Sequence, residues 1–136
     1  MDLNNKLDNK RDNKDSFSIV KRAKSFSHAG RGIVVFLKST HNAWIHIVVF
    51  LVTIVAGIYF NIRQSEWLAV ILVSGLVLTA EAFNTAIEID IDLTSPEYHP
   101  YAKDTKDVAA GAVLITAITA VCVGLLIFGP KIISLF

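Results

Sequence analysis

Three long apolar stretches dominate the chain beyond its first third, and each has the length of a membrane-spanning helix. They run over about residues 43–60, 67–88 and 108–128. A hydrocarbon core about 30 Å thick requires about twenty helical residues. A short polar connector separates the first two stretches, and a loop with two prolines separates the second from the third. The pattern predicts three transmembrane helices, the last of them ended by Gly129 and Pro130.

The residues before these stretches carry a different pattern. Residues 1–15 are mostly Asn, Asp and Lys, so they hold too little apolar surface to fold, and we predict a disordered tail. From residue 16 to residue 38, apolar side chains recur at helical spacing among basic ones. That combination is typical of an amphipathic helix on a membrane surface, where anionic headgroups attract Lys and Arg. We therefore predict a surface helix over residues 16–38 within a single membrane domain over residues 16–136.

The composition agrees with an integral membrane protein. Apolar residues make up 53% of the 136 residues and charged residues only 18%, whereas about a quarter of an average soluble domain is charged. The formal charge of +1 gives no reason to expect a nucleic-acid partner. The single cysteine, Cys122, lies in an apolar run, so no intrachain disulfide is possible. The polar N-terminus is unlike a cleavable signal, and we expect none.

Basic residues outside the predicted spans indicate the orientation. The N-terminal segment is basic, and the second loop carries Lys103 and Lys106. The opposite ends of the spans carry Arg63 and Lys131. Because cytoplasmic segments are enriched in Lys and Arg, we place the N-terminus and the second loop in the cytoplasm. The second loop then faces the nucleotides of the cell.

Polar residues at helical spacing mark the second apolar stretch. Glu81 and Asn84 lie within it and Glu88 ends it, at positions i, i+3 and i+7, which places all three on one helical face. A carboxyl at mid-bilayer costs about 2.5–3.5 kcal/mol even on insertion scales, so packing alone hardly explains an unpaired glutamate. We predict a functional site on this face. The alternative role for Glu81 is an interhelical hydrogen bond that fixes helix packing.

Further charged residues gather at the cytoplasmic side of the same face. Asp92 follows Glu88 along the helix, and Lys106 and Asp107 begin the third span opposite them. Carboxylates one or two turns apart can share a Mg²⁺ ion, and a lysine can neutralise phosphate oxygens. A carboxyl deeper in the membrane can accept the proton of an attacking lipid hydroxyl, which completes the requirements of phosphoryl transfer. The sequence has no Walker A motif and no kinase-type glycine loop, so any nucleotide site is of another kind.

Two motifs in this region resemble one known family. The first, E-x-x-N-[ST]-A-[IL]-E, runs from Glu81 to Glu88, and the second, A-K-x-x-K-D-x-A-A-x-A-V, runs from Ala102 to Val113. Together they resemble the bacterial integral-membrane diacylglycerol kinase family, which includes the undecaprenol kinases of Gram-positive bacteria. The resemblance extends over about residues 26–128.

This resemblance implies both an architecture and an activity. It implies an all-α homotrimer of three-span subunits, each with an N-terminal surface helix and with active sites at the subunit boundaries. It also implies transfer of the γ-phosphoryl group of MgATP to a lipid hydroxyl, with ATP as co-substrate and Mg²⁺ as cofactor. We accordingly expect a multi-pass protein of the bacterial inner membrane. The sequence does not decide between diacylglycerol and undecaprenol as the acceptor.

The resemblance also assigns roles in the chemistry. Glu81 matches the proposed catalytic base and Asn84 the asparagine beside it. Asp107 matches an aspartate that organises the site, which completes the predicted catalytic set. Glu88 matches a magnesium ligand.

Four further residues match positions at the nucleotide. Lys106 matches the lysine that the family uses near the ATP phosphates. Asp92 also matches a position of the family pattern. His28 aligns with an aromatic position near the adenine, and Gly32 matches a motif glycine. These four form the predicted ATP-binding set.

One position departs from the family pattern. The family usually has a second metal-binding glutamate eight residues after the motif glycine, and here that position is Thr40. A threonine hydroxyl is a weak, neutral ligand for Mg²⁺. Water or another carboxylate then completes the metal shell, or the metal affinity is lower, or the activity is altered. We interpret the chain as belonging to a subgroup and not as an inactive relative.

Three functions are compatible with these residues. The first is a lipid kinase, which the motifs favour. The second is a non-catalytic membrane scaffold or ion-binding oligomer on the same fold, which the threonine at position 40 keeps open. The third, a small proton-coupled transporter, is weak because three spans lack the inverted repeats that transporters usually show.

Overall fold

The computed structural model describes residues 19–136, with side chains from residue 22 onward, and this part of the chain is helical apart from short connections. Four helices follow one another, α1 (Ile19–Ser39), α2 (His41–Tyr59), α3 (Gln64–Thr94) and α4 (Pro100–Ile133). No strand occurs within residues 19–136. The predicted all-α membrane class is confirmed, with one helix ahead of three long apolar helices.

Helices α2, α3 and α4 are each long and apolar enough to cross a membrane. They contain most or all of the three predicted spans. The tail predicted for residues 1–15 lies outside the described residues, as does the start of the predicted surface helix. That α1 lies on a membrane surface stays a prediction.

Helices α3 and α4 are longer than a bilayer requires. They have 31 and 34 residues, which correspond to about 46 and 51 Å at 1.5 Å per residue, against a hydrocarbon core of about 30 Å. The end of α3 and the start of α4 therefore continue beyond the predicted spans. Most charged residues of the predicted second loop therefore belong to the ends of α3 and α4.

Proline has different effects at the two ends of α4. Pro100 occupies the first turn, after His99 in extended conformation, and its missing N–H donor costs nothing at that position. Pro130 was predicted to end the helix together with Gly129, but α4 continues through it to Ile133, so this prediction was wrong. A proline ring clashes with the Cβ of the residue before it, and Gly129 has none. The glycine therefore allows the helix to continue.

The central helix of the bundle is α3, which packs against α4 more extensively than against α2. We call the side of the α2–α3 turn (residues 60–63) the turn end and the side of the α3–α4 loop (residues 95–99) the loop end. The buried apolar cluster, formed by Ile62, Val70 and Ile127, lies at the turn end. The aromatic rings of Phe60, Trp67 and Phe128 pack around it.

Close contact at the turn end requires a glycine in α2. Gly57 is buried, and a Cβ added there would lie 2.7 Å from Cη2 of Trp67 and 3.1 Å from Cδ1 of Ile62. Such distances are too short for a side chain of any size. Trp67 therefore has a packing role at this end of the bundle.

The contacts of the chain divide it into two compact units, one ending at Val34 and the other comprising Val35–Phe136. The division falls within α1, so the last residues of this helix belong to the second unit. His28 and Gly32 are part of the first unit. Thr40, Glu81 and the other polar residues considered below are part of the second.

Candidate active site

Glu81 is the largest side chain that is fully buried in the described part of the chain, with 1% of its surface exposed. It lies in the middle of α3, on the face that the sequence marks as polar. The hydroxyl of Thr40 donates a hydrogen bond to Oε1 of Glu81 over 3.3 Å. The burial keeps this carboxyl away from hydrocarbon, where an unpaired glutamate is costly.

Thr40 also holds the start of α2. It is the N-cap residue of that helix, and its Oγ1 accepts a hydrogen bond from the backbone N–H of Asn42 over 3.2 Å. One hydroxyl therefore joins the beginning of α2 to the middle of α3. Thr40 departs from the family pattern, but its contact with Glu81 could not be predicted from the sequence, because 41 positions separate the two residues.

Asn84 links the buried part of the site to its partly exposed part. It is 7% exposed, and its Nδ2 donates to Oε1 of Glu88 over 3.0 Å. An ionised carboxylate only accepts hydrogen bonds, so the amide nitrogen has to face Glu88. The amide oxygen is then left buried without a partner among the described residues. An orphaned buried acceptor of this kind calls for a donor from a ligand, a water molecule or another chain.

Thr85 is a buried polar residue of this face that the sequence analysis did not select. It is 4% exposed, and its hydroxyl donates to the backbone oxygen of Glu81 over 2.9 Å. Threonine commonly satisfies its hydroxyl on the preceding turn of a helix in this way. The spacing of four residues after Glu81 was the signal that could have indicated it.

Lys106 and Asp92 form a hydrogen-bonded ion pair between the end of α3 and the start of α4. The side chains are 35% and 68% exposed, respectively. Exposed pairs of this kind contribute only about 0–1 kcal/mol, so a polyanion can displace Asp92 from the lysine at little cost. The structure thus brings together two of the four residues predicted at the nucleotide.

Asp107 is exposed and takes part in a different pair. Its Oδ2 lies 4.0 Å from Nζ of Lys103, one turn earlier on α4. The structure therefore connects Asp107 to its own helix, and the predicted catalytic role of this aspartate stays a prediction. His28 and Gly32 are exposed on α1, in the first unit, and their predicted roles at the nucleotide also stay predictions.

The donor set suits a magnesium ion that is held partly by phosphate. Among the described residues, no three His, Cys, Asp or Glu side chains are grouped closely enough to hold a metal ion by themselves. Mg²⁺ in kinases is typically bound through one or two carboxylates together with substrate phosphates and water. Glu88 offers one such carboxylate, with Asn84 orienting one of its oxygens.

An apolar cavity of about 380 Å³ lies between α2, α3 and α4. Val77 and Leu78 line it, and they precede Glu81 by about one helical turn. From there it extends toward the turn end, where Phe50 and Phe128 contribute to the wall. The apolar lining suits a hydrocarbon tail. A tail bound in this cavity would lie on the turn-end side of Glu81.

Known proteins are similar to this chain over most of its length. Residues 27–128 match the family described as prokaryotic diacylglycerol kinase. An undecaprenol kinase of Bacillus subtilis is 39% identical over 109 residues, which are 80% of this chain and 89% of the relative. A diacylglycerol kinase of Synechocystis is 38% identical over 112 residues, covering 82% of this chain and 64% of the relative.

A relative of lower identity matches a similar share of the chain. A diacylglycerol kinase of Helicobacter pylori is 31% identical over 106 residues, which are 73% of this chain and 83% of the relative. The segment that matches the family, residues 27–128, includes the C-terminal part of α1 and both motifs on α3 and α4. This chain belongs to the prokaryotic diacylglycerol kinase family.

Proposed function

We propose that the protein is a membrane lipid kinase that transfers the γ-phosphoryl group of MgATP to the hydroxyl of a lipid. The observation that carries this proposal is the polar face of α3, where a fully buried glutamate lies about 10 Å along the helix from a second carboxylate. Membership in a family of lipid kinases supports the same activity. The non-catalytic scaffold is not favoured, since the relatives named above are kinases.

Glu81 is the proposed catalytic base. Its depth in α3 suits a lipid, whose hydroxyl is presented from the membrane, better than a soluble sugar. The carboxylate accepts the proton of that hydroxyl as the lipid oxygen forms a bond to the γ-phosphorus. The bond between this phosphorus and the β–γ bridging oxygen breaks at the same time, and its electron pair leaves with ADP.

The orphaned amide oxygen of Asn84 supports a role beside the base. The atom needs a hydrogen-bond donor, and a water molecule in the site supplies one, since the single proton of the lipid hydroxyl goes to Glu81. The amide nitrogen holds Glu88 at the same time. Asn84 is therefore proposed to orient the metal ligand and to hold a water molecule beside the base.

Lys106 and Asp92 are proposed to receive the phosphates of ATP. The exposed ion pair between them opens readily, after which the ammonium group binds phosphate oxygens as a point charge. Glu88 is proposed to hold Mg²⁺, which supplies neutralisation of the charge that develops on the transferring group. His28, Gly32 and Asp107 complete the proposed site by the family pattern.

The uncovered apolar surface supports a membrane location and assembly with further copies. Within one chain only 11%, 28% and 6% of the most apolar windows of α2, α3 and α4 are buried. Lipid or neighbouring subunits have to cover the rest, and we propose a homotrimer in the bacterial inner membrane. The excess of Lys and Arg on the N-terminal side and in the α3–α4 loop supports a cytoplasmic N-terminus.

Transfer of labelled phosphate tests the proposal directly. Purified protein in detergent or lipid would receive ATP labelled on the γ-phosphate and Mg²⁺, with diacylglycerol, undecaprenol or no lipid in parallel. We expect label on at least one lipid and no transfer without lipid. The lipid that is labelled identifies the acceptor class, which the apolar cavity does not distinguish.

The Glu81→Gln variant is the control for the chemistry in this assay. An assembled oligomer that transfers no label to any lipid, with ample Mg²⁺, would reject the kinase and favour the ion-binding scaffold. Label that survives unchanged in the variant would keep the kinase but remove Glu81 from its mechanism.

A further inference from the structure

The position at which this chain departs from its family carries a contact of its own. Thr40 stands where a metal-binding glutamate is expected, yet its hydroxyl points to Glu81 and not into open space. We propose that Thr40 is a positioning residue for Glu81, which holds the base in place instead of contributing to a metal site. The inference rests on the proposed role of Glu81 as the base.

The hydrogen bonds around the hydroxyl determine its direction. The backbone N–H of Asn42 donates to Oγ1 of Thr40, which occupies one lone pair and leaves the hydroxyl proton free to donate. Glu81 is the acceptor of that proton. The ionised carboxylate only accepts hydrogen bonds, so this donor complements the form of Glu81 that can take a proton from a substrate.

The backbone holds the donor rigidly. Thr40 lies between α1 and α2 in extended conformation, with φ of −135° and ψ of 133°, and caps α2. Ala43, one turn later, is 0% exposed, so the first turn of α2 is closely packed. A threonine side chain has a single rotatable carbon–carbon bond, and the cap fixes it. A glutamate at this position would have more freedom and no hydroxyl proton.

The contact is long for a hydroxyl and a carboxylate, at 3.3 Å against the usual 2.5–3.0 Å. Hydrogen bonds of catalytic groups are often long without substrate and shorten in the complex. Because Thr40 donates only one long hydrogen bond, Glu81 retains lone pairs for the acceptor hydroxyl. The length of the contact is therefore compatible with a positioning role.

Three substitutions separate the donor role of Thr40 from its capping role. Thr40→Ser keeps both the cap and the hydroxyl donor. Thr40→Gly removes the hydroxyl, but glycine is nearly as good an N-cap as threonine. Thr40→Val keeps the volume and loses both the cap and the donor, because valine is a poor N-cap.

The phosphate-transfer rates of the three variants give the test. We expect Thr40→Ser to retain at least about half of kcat, and both other variants to lose about tenfold, the effect of one hydrogen bond to a charged group. KM for MgATP and the Mg²⁺ concentration for half-maximal rate should change by less than about twofold.

Two outcomes would contradict the proposal. Loss of kcat in the valine variant alone would show that only the cap matters. A raised Mg²⁺ requirement in the glycine and valine variants would show a metal ligand. Either result would overturn the proposal.

A measurement without turnover separates this proposal from the kinase proposal. Melting temperatures of Thr40→Val, Glu81→Ala and the double variant form a thermodynamic cycle. If the hydroxyl holds the carboxylate, the double variant should lose less than the sum of the single losses. Strictly additive losses would overturn the contact, even where the wild-type protein phosphorylates lipid. If the wild type phosphorylates no lipid, the kinase proposal fails and the cycle alone decides whether Thr40 holds Glu81.

Discussion

The two ends of the bundle contain similar carboxylates in very different surroundings. At the turn end, Glu66 accepts the backbone N–H of Arg63 over 2.6 Å and lies within 3.6 Å of the Arg63 guanidinium and 3.5 Å of the Lys131 ammonium. Toward the loop end, Glu81 receives one long hydrogen bond from Thr40, and Glu88 receives one from Asn84. All three glutamates belong to α3.

The difference lies in the bonding capacity that remains. Glu66 is paired on both oxygens and joins the start of α3 to the end of α4, beside the apolar cluster of Ile62, Val70 and Ile127. Glu81 and Glu88 keep lone pairs available within the described part of the chain. A carboxylate that is fully engaged holds a fold together, whereas one that is partly engaged can bind a substrate or a metal ion.

Matched glutamine variants test this comparison most strongly. Glu81→Gln removes the proposed base and should lower kcat by about hundredfold or more, with the melting temperature close to that of the wild type. Glu66→Gln should keep turnover within about twofold at low temperature but lower the melting temperature by a few degrees, because it weakens two ion pairs. Lipid phosphorylation and thermal unfolding measure the two effects. Loss of activity in both variants, or in neither, would contradict the comparison.

Two lysines of α4 test the loop end, with the second-largest expected effect on the kinetics. Lys106→Gln removes the proposed phosphate contact and should raise KM for ATP by about tenfold. Lys103→Gln, one turn earlier, removes the same charge from the same helix and should change that KM by less than about twofold. An equal rise in both variants would indicate general attraction of ATP by positive charge instead of a specific contact.

The magnesium requirement gives a smaller and separate effect. Glu88→Ala should raise the Mg²⁺ concentration for half-maximal rate several-fold, because one carboxylate ligand of the proposed site is lost. Asp90→Ala removes an exposed carboxylate two positions along α3 and should leave the titration unchanged. An unchanged titration of the Glu88 variant would remove this residue from the metal site.

The close packing at the turn end should affect stability alone. Gly57→Ala introduces a Cβ at 2.7 Å from Cη2 of Trp67 and should cost about 1–3 kcal/mol, measured as a lower melting temperature. Gly75→Ala, at an exposed position of α3 where an added Cβ meets nothing within 4 Å beyond its own helix, serves as the control and should not lower the melting temperature. A stable Gly57→Ala protein would mean that Trp67 can move aside without loss.

Features of the fold that depend on residues close in sequence could be predicted more fully than features that depend on distant ones. The three apolar helices and the polar face of α3 could be predicted because hydropathy and helical periodicity depend on neighbouring residues. The cost of a carboxyl in hydrocarbon singled out Glu81, but its full burial is known only from the structure. The end of α4 was mispredicted at Pro130, because its tolerance depends on the local backbone at Gly129.

The sequence by itself thus determined the class of the protein, its family and the face of α3 on which the polar residues lie. Only the tertiary structure decided which groups meet across helices. Thr40 reaches Glu81 across 41 positions, and Lys106 reaches Asp92 across 14. Such contacts depend on the path of the whole chain and on the packing of α2, α3 and α4, which no local pattern encodes. The fold alone therefore revealed the hydrogen bond between Thr40 and Glu81, on which the proposed positioning role rests.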